Sequence, residues 1–497
     1  MKPAFKSLLV LAAVLLPQLA SAEARRDRVS AGGYFRIMTR PDFQGGGGRL
    51  GYWNLYGRLL NEGPFAALEL RLDAMQANPG TNEVWAAIHG KLEGGSVANT
   101  DPNNGNLSLF RMSQLFVRAG NILFDSVTWQ LGTLESYYGD LGLYDMRPAT
   151  IFNDTVGLSA RYQKGKLDLL VGAGDAGYAV RGLQYSTIFT AGGTARVTVN
   201  EHLQLGGGGQ VGLEPSVPGN RFAPYVTPGL NYEDFHRREV VRRYVENNPN
   251  REDLFPRPQS TSNNSWKLIG YLGWGNIGPL RWSNAYASFS KRHPLNFYTE
   301  NFGGRDYTIY IADQTDQRYS MIAGNEMMFT VIEDRLDAVW AVLAGQDLNL
   351  DNKIAAGEDN RRFFSTVLRG QLYLTETIHL LGESSVAQEI SLNGNLFRQH
   401  HDSVFRNTGG RPDVRGLEFG DSDTRNTWQM KSGVVFNPKG RGVYNRPSLR
   451  LLYGLQYSSQ QAAFGNGYVE SLDQFNDFQS PELHWHHVVA IEAEAWF

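Results

Sequence analysis

His487-Val-Val-Ala-Ile-Glu-Ala-Glu-Ala-Trp-Phe497, the last eleven residues of the chain, alternate between two kinds of side chain. Every second residue from Val489 onwards is apolar, whereas the positions between them include Glu492, Glu494 and Trp496. Successive side chains of a strand point to opposite faces, so one face is wholly apolar and the other is mixed. Two glutamates on one face are unusual in a dry core. The pattern predicts a transmembrane β-barrel strand, with one face in lipid and the other in a wet lumen.

The same alternation recurs in residues 34–40, 52–60, 367–374 and 448–458, and each segment carries arginine on its polar face. Arginine inside a strand is costly in a dry sandwich core but ordinary in a water-filled lumen. Roughly 475 mature residues, at about 10 per tilted strand plus loops, allow about 18 strands, or 16, in one closed barrel. We therefore predict an all-β, antiparallel barrel that encloses a pore.

The N-terminal segment predicts export. Lys2 and Lys6 precede an apolar run from Leu8 to Leu16, and Ala20-Ser-Ala22 follows. A charged region, a short apolar region and an Ala-x-Ala site indicate a signal peptide over residues 1–22. The alternative, a transmembrane helix, needs roughly 20 apolar residues. Residues 23–497 are then predicted to form a single outer-membrane domain.

Composition agrees with this class. The chain has no cysteine, 55 glycines, 12% aromatic residues and a mean hydropathy of −0.36. The absence of cysteine suits passage through an oxidising periplasm. Without the two lysines of the signal peptide, 45 basic residues stand against 50 acidic ones, a balance of −5 that gives no case for a nucleic-acid partner.

Connections between strands are predicted from polarity and length. Gln163-Lys-Gly-Lys166 is typical of a short periplasmic turn, and four long polar stretches are predicted extracellular loops: residues 77–105, 233–264, 398–427 and 464–483.

Several short motifs follow one another in a distinctive order: Gly33-Tyr-Phe-Arg36, Arg49-Leu-Gly51 with Tyr56 and Asn61-Glu-Gly63, Phe110-Arg111 with Gly132, Asp140-Leu-Gly-Leu-Tyr-Asp145, and Arg446-Pro-Ser-Leu-Arg450. Their order and spacing resemble those of the maltoporins, a family of carbohydrate-selective outer-membrane porins. The similarity covers about residues 30–175 and 430–497. It implies that residues 52–60 form the second strand and that residues 140–145 belong to a third loop folded into the barrel.

The resemblance also implies function: a homotrimer of 18-stranded barrels that passes maltodextrin-like sugars by diffusion, without catalysis and without a required cofactor. The residues that match the family's substrate path are Tyr34, Arg36, Tyr56, Arg58, Arg111, Tyr138, Asp140, Asp145, Arg147 and Trp496. Aromatic rings stack on the apolar face of a sugar, and charged groups bind its hydroxyls. The alternatives are an interfacial aromatic girdle for the rings and structural ion pairs for the charges.

Three positions depart from the family pattern. Arg58 stands where the family has Glu, Tyr138 where it has Arg, and Arg147 where it has a constricting Tyr. The charges at the narrowest point are therefore rearranged, which leaves a different or an acidic sugar open as the substrate, since arginine binds carboxylates in a bidentate manner.

Three rival functions remain. One is a purely structural or receptor barrel, which a long N-terminal plug would favour, whereas the first predicted strand starts about ten residues after the predicted cleavage site. A general or anion-preferring porin is favoured if Arg40, Arg58, Arg369 and Arg450 dominate the lumen. A barrel enzyme, such as a lipase or protease, needs a Ser or Asp/His set at the rim, and no such spacing occurs in the sequence.

A separate motif predicts calcium. Asp347, Asn349, Asp351 and Glu358 occupy positions 1, 3, 5 and 12 of an EF-hand-like loop, and the carbonyl of Lys353 is available at position 7. We expect one structural Ca²⁺ outside the membrane; the alternative is a plain acidic loop.

Overall fold

The computed structural model describes residues 28–41, 50, 54–78, 81–95, 110–176, 189–214, 225–226, 263–291, 297–302, 305–311, 318–349, 361–392, 424–459 and 485–497. The predicted signal peptide lies outside these residues. None of the described residues belongs to a helix that is long and apolar enough to cross a bilayer.

Eighteen antiparallel strands form one sheet that closes on itself. They are β1 (Val29–Thr39), β2 (Phe65–Met75), β3 (Trp85–Gly95), β4 (Phe110–Gly120), β5 (Val127–Tyr137), β6 (Thr150–Lys164), β7 (Leu167–Asp175), β8 (Phe189–Asn200), β9 (Leu203–Glu214), β11 (Asn263–Ile277), β12 (Leu280–Lys291), β15 (Arg318–Ile332), β16 (Leu336–Asn349), β17 (Arg361–Tyr373), β18 (Ile378–Ser391), β19 (Thr424–Phe436), β20 (Ser448–Ser458) and β21 (Trp485–Trp496). Three further strands, β10 (Tyr225–Val226), β13 (Phe297–Phe302) and β14 (Arg305–Ile311), form a small separate sheet.

The first and last strands close the barrel. Strand β1 pairs with β2 on one side and with β21 on the other, and Tyr34 lies opposite Trp496 in the second pairing. Closure leaves no unpaired edge, which a sheet in lipid requires because hydrocarbon offers no hydrogen bonds. The predicted 18-stranded barrel is confirmed, and the alternative of 16 strands is excluded.

The two faces of the wall separate as the alternation predicts. In β17, Leu368 points outwards and is 53% exposed, whereas Arg369 points inwards and is 1% exposed. In β21, Val489 and Ile491 are exposed and Glu492 is buried. The outer surface is thus apolar and suits lipid, while the charged file faces the interior.

The connections alternate between the two ends of the barrel because neighbouring strands run in opposite directions. One end carries short turns, among them Gly165-Lys166, where the sequence predicts one. The other end carries the β1–β2 and β5–β6 connections described below. The predicted loop over residues 77–105 is wrong, because β3 occupies Trp85–Gly95. Its inward file mixes Trp85 with polar residues and its outward file includes Gly90 and Gly94, so the alternation between polar and large apolar residues is weak.

Candidate functional site in the barrel lumen

The β5–β6 connection, residues 138–149, folds into the barrel as the sequence resemblance implies. It is the third connection at its end, and Leu141, Leu143 and Tyr144 are completely buried. The backbone N–H of Leu143 donates to Oε2 of Glu326 at 2.8 Å, and the Tyr144 hydroxyl donates to Ser365 Oγ at 3.2 Å. The loop is therefore fixed to the wall formed by β15–β17.

A second inward loop was not predicted. The described part of residues 52–60 forms a 3-10 helix, Asn54–Tyr56, followed by turns, so the predicted second strand is wrong. Gly57 adopts a φ of +84°, which breaks an extended conformation, and Tyr56 is completely buried. The Tyr56 hydroxyl donates to Oε2 of Glu389 at 2.6 Å. The conformation of this segment is determined by contacts that surround it inside the lumen, whereas a strand of the wall has one face in lipid and the other in the lumen.

Where the two loops pack, the inner wall is apolar. One cluster joins Leu55 and Leu143 to the inward side chains of β16, including Val339 and Leu343. A second cluster packs residues 50, 59 and 60 against apolar side chains of β18–β21. This part of the lumen is consequently a dry core, not the uniformly wet interior that the sequence predicts.

Buried ion pairs surround these apolar contacts. Glu494, 1% exposed, accepts hydrogen bonds from Arg58 at 2.5 Å, from Arg450 at 2.6 Å and from the Tyr34 hydroxyl at 2.8 Å, and it forms an ion pair with Arg446 at 2.6 Å. Arg58 therefore binds a carboxylate of the barrel wall, as the alternative of a structural ion pair expects.

A second buried network lies on β17–β19. Glu383 pairs with Arg369 at 2.5 Å and with Lys431 at 2.8 Å, and Lys431 also donates to the carbonyl of Tyr56 at 2.8 Å. Arg40 donates to the carbonyl of Leu60 at 3.0 Å. Arg450 pairs with Glu494. The four arginines that could favour anions in the lumen therefore all bind oxygen atoms of the protein; they are Arg40, Arg58, Arg369 and Arg450.

Arg36 binds the carboxylate of Glu62 and the carbonyl of Gly63, the latter at 3.0 Å. Burial raises the pKa of Glu62 to about 8, although the neighbouring Arg36 lowers it, and the adjacent Asp145 carboxyl raises it further. Glu62 and Asp145 belong to different inward loops, so a proton held at Glu62 relieves repulsion between those loops.

The remaining candidate residues lie at several places. Trp496 lies on the inward file of β21, 53% exposed, with its ring 6.4 Å from that of Tyr34 and 5.9 Å from the guanidinium of Arg446. Asp140 is exposed, and Arg111 lies in β4, with its side chain outside the described part.

Tyr138 begins a stack of three tyrosines along the wall. Its ring lies 5.4 Å from that of Tyr271, which lies 5.4 Å from that of Tyr286. Its hydroxyl lies 2.9 and 2.5 Å from the carbonyl oxygens of Ala195 and Gly207, which share its single hydrogen as acceptors. Burial raises the pKa of the Tyr138 phenol above its ordinary value.

An open cavity of about 430 Å³ lies on the opposite wall, between β3–β7 and the start of the β5–β6 loop. Arg147 pairs with Glu135 of its rim at 2.9 Å and lies 4.2 Å above the ring of Tyr137. The lining residues that sequence reasoning missed are Trp85, Arg118, Thr128, Gln130, Leu134, Glu135, Ser136, Tyr137, Phe152, Ser159, Arg161, Gln163 and Leu170. The sequence feature that could have revealed these lining residues is the alternation of polar side chains along β5 and β6.

The proposed calcium motif is only partly described. Asp347 and Asn349 lie in β16, and Oδ2 of Asp347 is 3.6 Å from Nη2 of Arg361 in β17. Asp351, Lys353 and Glu358 lie outside the described residues. Within the described ranges, no three His, Asp or Glu side chains converge on a metal position.

No protein-family model matches the sequence, and no curated protein is similar to it. Among solved structures, the chain is similar to OprD of Pseudomonas aeruginosa, with 9% identity over 96% of this chain and 97% of that chain and a TM-score of 0.40. It is also similar to Wzi, a carbohydrate-binding outer-membrane β-barrel of Escherichia coli involved in group 1 capsule assembly, with 11% identity, coverage of 99% and 89%, and a TM-score of 0.37. Similarities this low assign no function to the chain.

Proposed function

We propose that this chain is an outer-membrane channel for facilitated diffusion of small carbohydrates, assembled as a homotrimer and without catalytic activity. The observation that supports it is the cavity beside the inward β5–β6 loop. It combines the rings of Trp85 and Tyr137 with hydrogen-bonding side chains such as Gln130 and Ser159. A sugar presents an apolar face and a polar edge, so it needs both kinds of group.

The arrangement of the lumen suits passage past one wall. The two inward loops fill the side formed by β15–β21 and pack against the stacked rings of Tyr138, Tyr271 and Tyr286, which leaves the cavity between β3 and β7 open on the other side. A solute that makes several weak contacts along such a wall can leave each of them readily, as conduction requires.

Single-channel recording of the purified protein in planar bilayers, with a panel of neutral and acidic mono- and oligosaccharides, tests the proposal. We expect a concentration-dependent block of the ion current by at least one oligosaccharide. A channel that conducts ions and responds to none of these sugars contradicts it.

An anion-preferring porin is the second candidate, because Arg118 has no acidic partner among the described residues. Reversal potentials in a KCl gradient measure this preference. Replacing Arg147 by Ala is expected to reduce anion selectivity and raise conductance, because it removes one cation from the rim of the cavity. Strong anion selectivity without sugar block favours this candidate over the first.

A further inference from the structure

Arg118 points into the cavity with a fixed orientation. Its Nε donates to Oε1 of Gln130 at 2.8 Å, and the Gln130 amide donates in turn to the carbonyl of Thr133 at 2.6 Å. The guanidinium lies 4.8 Å above the ring of Phe116. Both terminal nitrogens of the guanidinium lack a hydrogen-bond partner within the described part of the chain. Two parallel N–H donors held in this way match a carboxylate.

The charges around the cavity do not balance. Asp168 accepts from Arg161 at 2.7 and 2.5 Å and forms an ion pair with Arg196 at 3.1 Å. At the rim, Glu135 forms an ion pair with Arg147. These three arginines each contact a carboxylate, whereas Arg118 contacts none among the described residues, so its positive charge is left without a compensating acid. An excess of one sign in a concave, partly enclosed site attracts a ligand of the other sign.

Aromatic side chains complete the cavity. The indole of Trp85 lies across Gly120, where a Cβ atom would stand 2.2 Å from Nε1, so this ring position requires glycine. Phe152, 1% exposed, lines the cavity with a φ of +60°, a strained conformation for an aromatic residue, and its N–H donates to Oε1 of Gln210 at 2.6 Å. Strain of this kind persists where surrounding contacts maintain it, often at functional sites.

We infer that this cavity binds a uronic acid unit of an acidic saccharide, with its carboxylate on the terminal nitrogens of Arg118 and its ring against Trp85 or Tyr137. This inference rests on the proposed carbohydrate channel and names its substrate class. Arg58 and Arg147 do not take this role, because each pairs with a carboxylate of the protein. The volume of about 430 Å³ falls within the usual range for small-molecule sites, roughly 300–1,000 Å³, and exceeds what a simple anion needs.

The test measures block of the ion current in planar bilayers by digalacturonate and by its neutral counterpart, digalactose, with acetate as a simple anion. The variants are Arg118→Gln, which removes the charge, and Arg118→Lys, which keeps the charge without the planar pair of donors. Arg281→Gln is the matched control, because Arg281 is an exposed residue of β12 outside the cavity that donates to Thr330. Open-channel conductance verifies that each variant forms a barrel.

We expect digalacturonate to bind more tightly than digalactose, and Arg118→Gln to raise the Kd of digalacturonate about tenfold or more, as for loss of a charged hydrogen bond. The Kd of digalacturonate for Arg118→Lys should lie between the values for Arg118→Gln and for the wild type. The Kd of digalactose for the Arg118 variants, and the Kd of digalacturonate for the Arg281→Gln control, should each change less than about twofold. Equal losses for both sugars, or none, overturn the inference while leaving a sugar channel intact. Block by acetate as strong as by digalacturonate overturns the saccharide assignment. Absence of block by every sugar contradicts the proposed function itself.

Discussion

The backbone N–H of Arg58 donates to the carbonyl of Leu143 at 2.8 Å, and this hydrogen bond joins the two inward loops inside the barrel. Arg58 also extends to Glu494 on the wall, while Leu143 donates to Glu326 on a different part of it. The two loops therefore form one packed unit that is anchored to β15 and β21. Displacing either loop is expected to disturb the other and to widen the lumen.

Gly57 is the position at which this unit is most sensitive to a small change. Its φ of +84° disfavours any side chain, and a Cβ atom would stand 2.8 Å from Oε1 of Glu383. We expect Gly57→Ala to cost at least about 1–2 kcal/mol and to raise single-channel conductance as the loop shifts. Gly165→Ala is the control, because Gly165 has a φ of +58° in an open turn with no atom near its Cβ position. Equal conductance in both variants would contradict the anchoring role.

The Glu383 network predicts a large effect on stability. Removing this carboxylate by Glu383→Ala leaves Arg369 and Lys431 buried without their acid, which is expected to cost about 3–5 kcal/mol in the free energy of unfolding. Asp73→Ala removes the partner of the partly exposed Arg71 and should cost less than about 1 kcal/mol. Urea denaturation in detergent micelles compares the stability of the two variants. Similar midpoints would show that the buried Glu383 network contributes little to the free energy of unfolding.

Sequence alone predicts those features in which the two faces of a strand differ strongly. Strands β17, β20 and β21 alternate between charged and large apolar residues, so their direction of burial can be read directly. Residues 52–60 alternate equally well, yet their described part, residues 54–60, folds into the lumen. Their conformation depends on distant partners such as Glu389, 333 positions from Tyr56. No local pattern contains that information.

The cavity was missed for a related reason. Arg118 and Arg161 look like ordinary lumen arginines in the sequence, and their difference lies in their neighbours. Arg161 pairs with Asp168 across the β6–β7 turn, whereas Arg118 donates to the side-chain amide of Gln130 on β5 and contacts no carboxylate among the described residues. Which arginine keeps unpaired donors is decided by cross-strand register, and the spacing of residues along one strand does not specify it.

The raised pKa of Glu62 predicts a pH dependence of stability. Between its ordinary value and about 8, the folded protein keeps a proton that the unfolded chain releases, so the stability contribution falls as the pH rises through this range. Relative to Glu62→Gln, we expect the wild type to lose stability by up to about 1.4 kcal/mol per pH unit between about pH 5 and 8. Urea midpoints at several pH values measure this. A constant difference between the two proteins would exclude proton uptake at Glu62.

The calcium motif remains a proposal that titration can test. We expect isothermal titration of the wild type to show one site with a Kd of about 10⁻⁴ to 10⁻³ M, typical of extracellular modules. Asp347→Ala should abolish it by removing the first ligand, whereas Asp337→Ala, near the opposite end of β16, should not. Binding that survives Asp347→Ala would show that the Asp347 carboxylate, which lies near Arg361, is not a calcium ligand.

Trp496 and Tyr34 provide the last prediction, because their neighbouring rings lie on the inward files of the two strands that close the barrel. If sugars stack on Trp496, Trp496→Ala should weaken block of the ion current by about 1–3 kcal/mol in binding free energy, through loss of the ring face. Trp485→Ala is the matched control: Trp485 is a comparably exposed tryptophan at the other end of β21, on the outward file. Unchanged block in Trp496→Ala, with unchanged conductance, would place the sugar contacts elsewhere on the wall and leave Trp496 as a ring that packs beside Arg446.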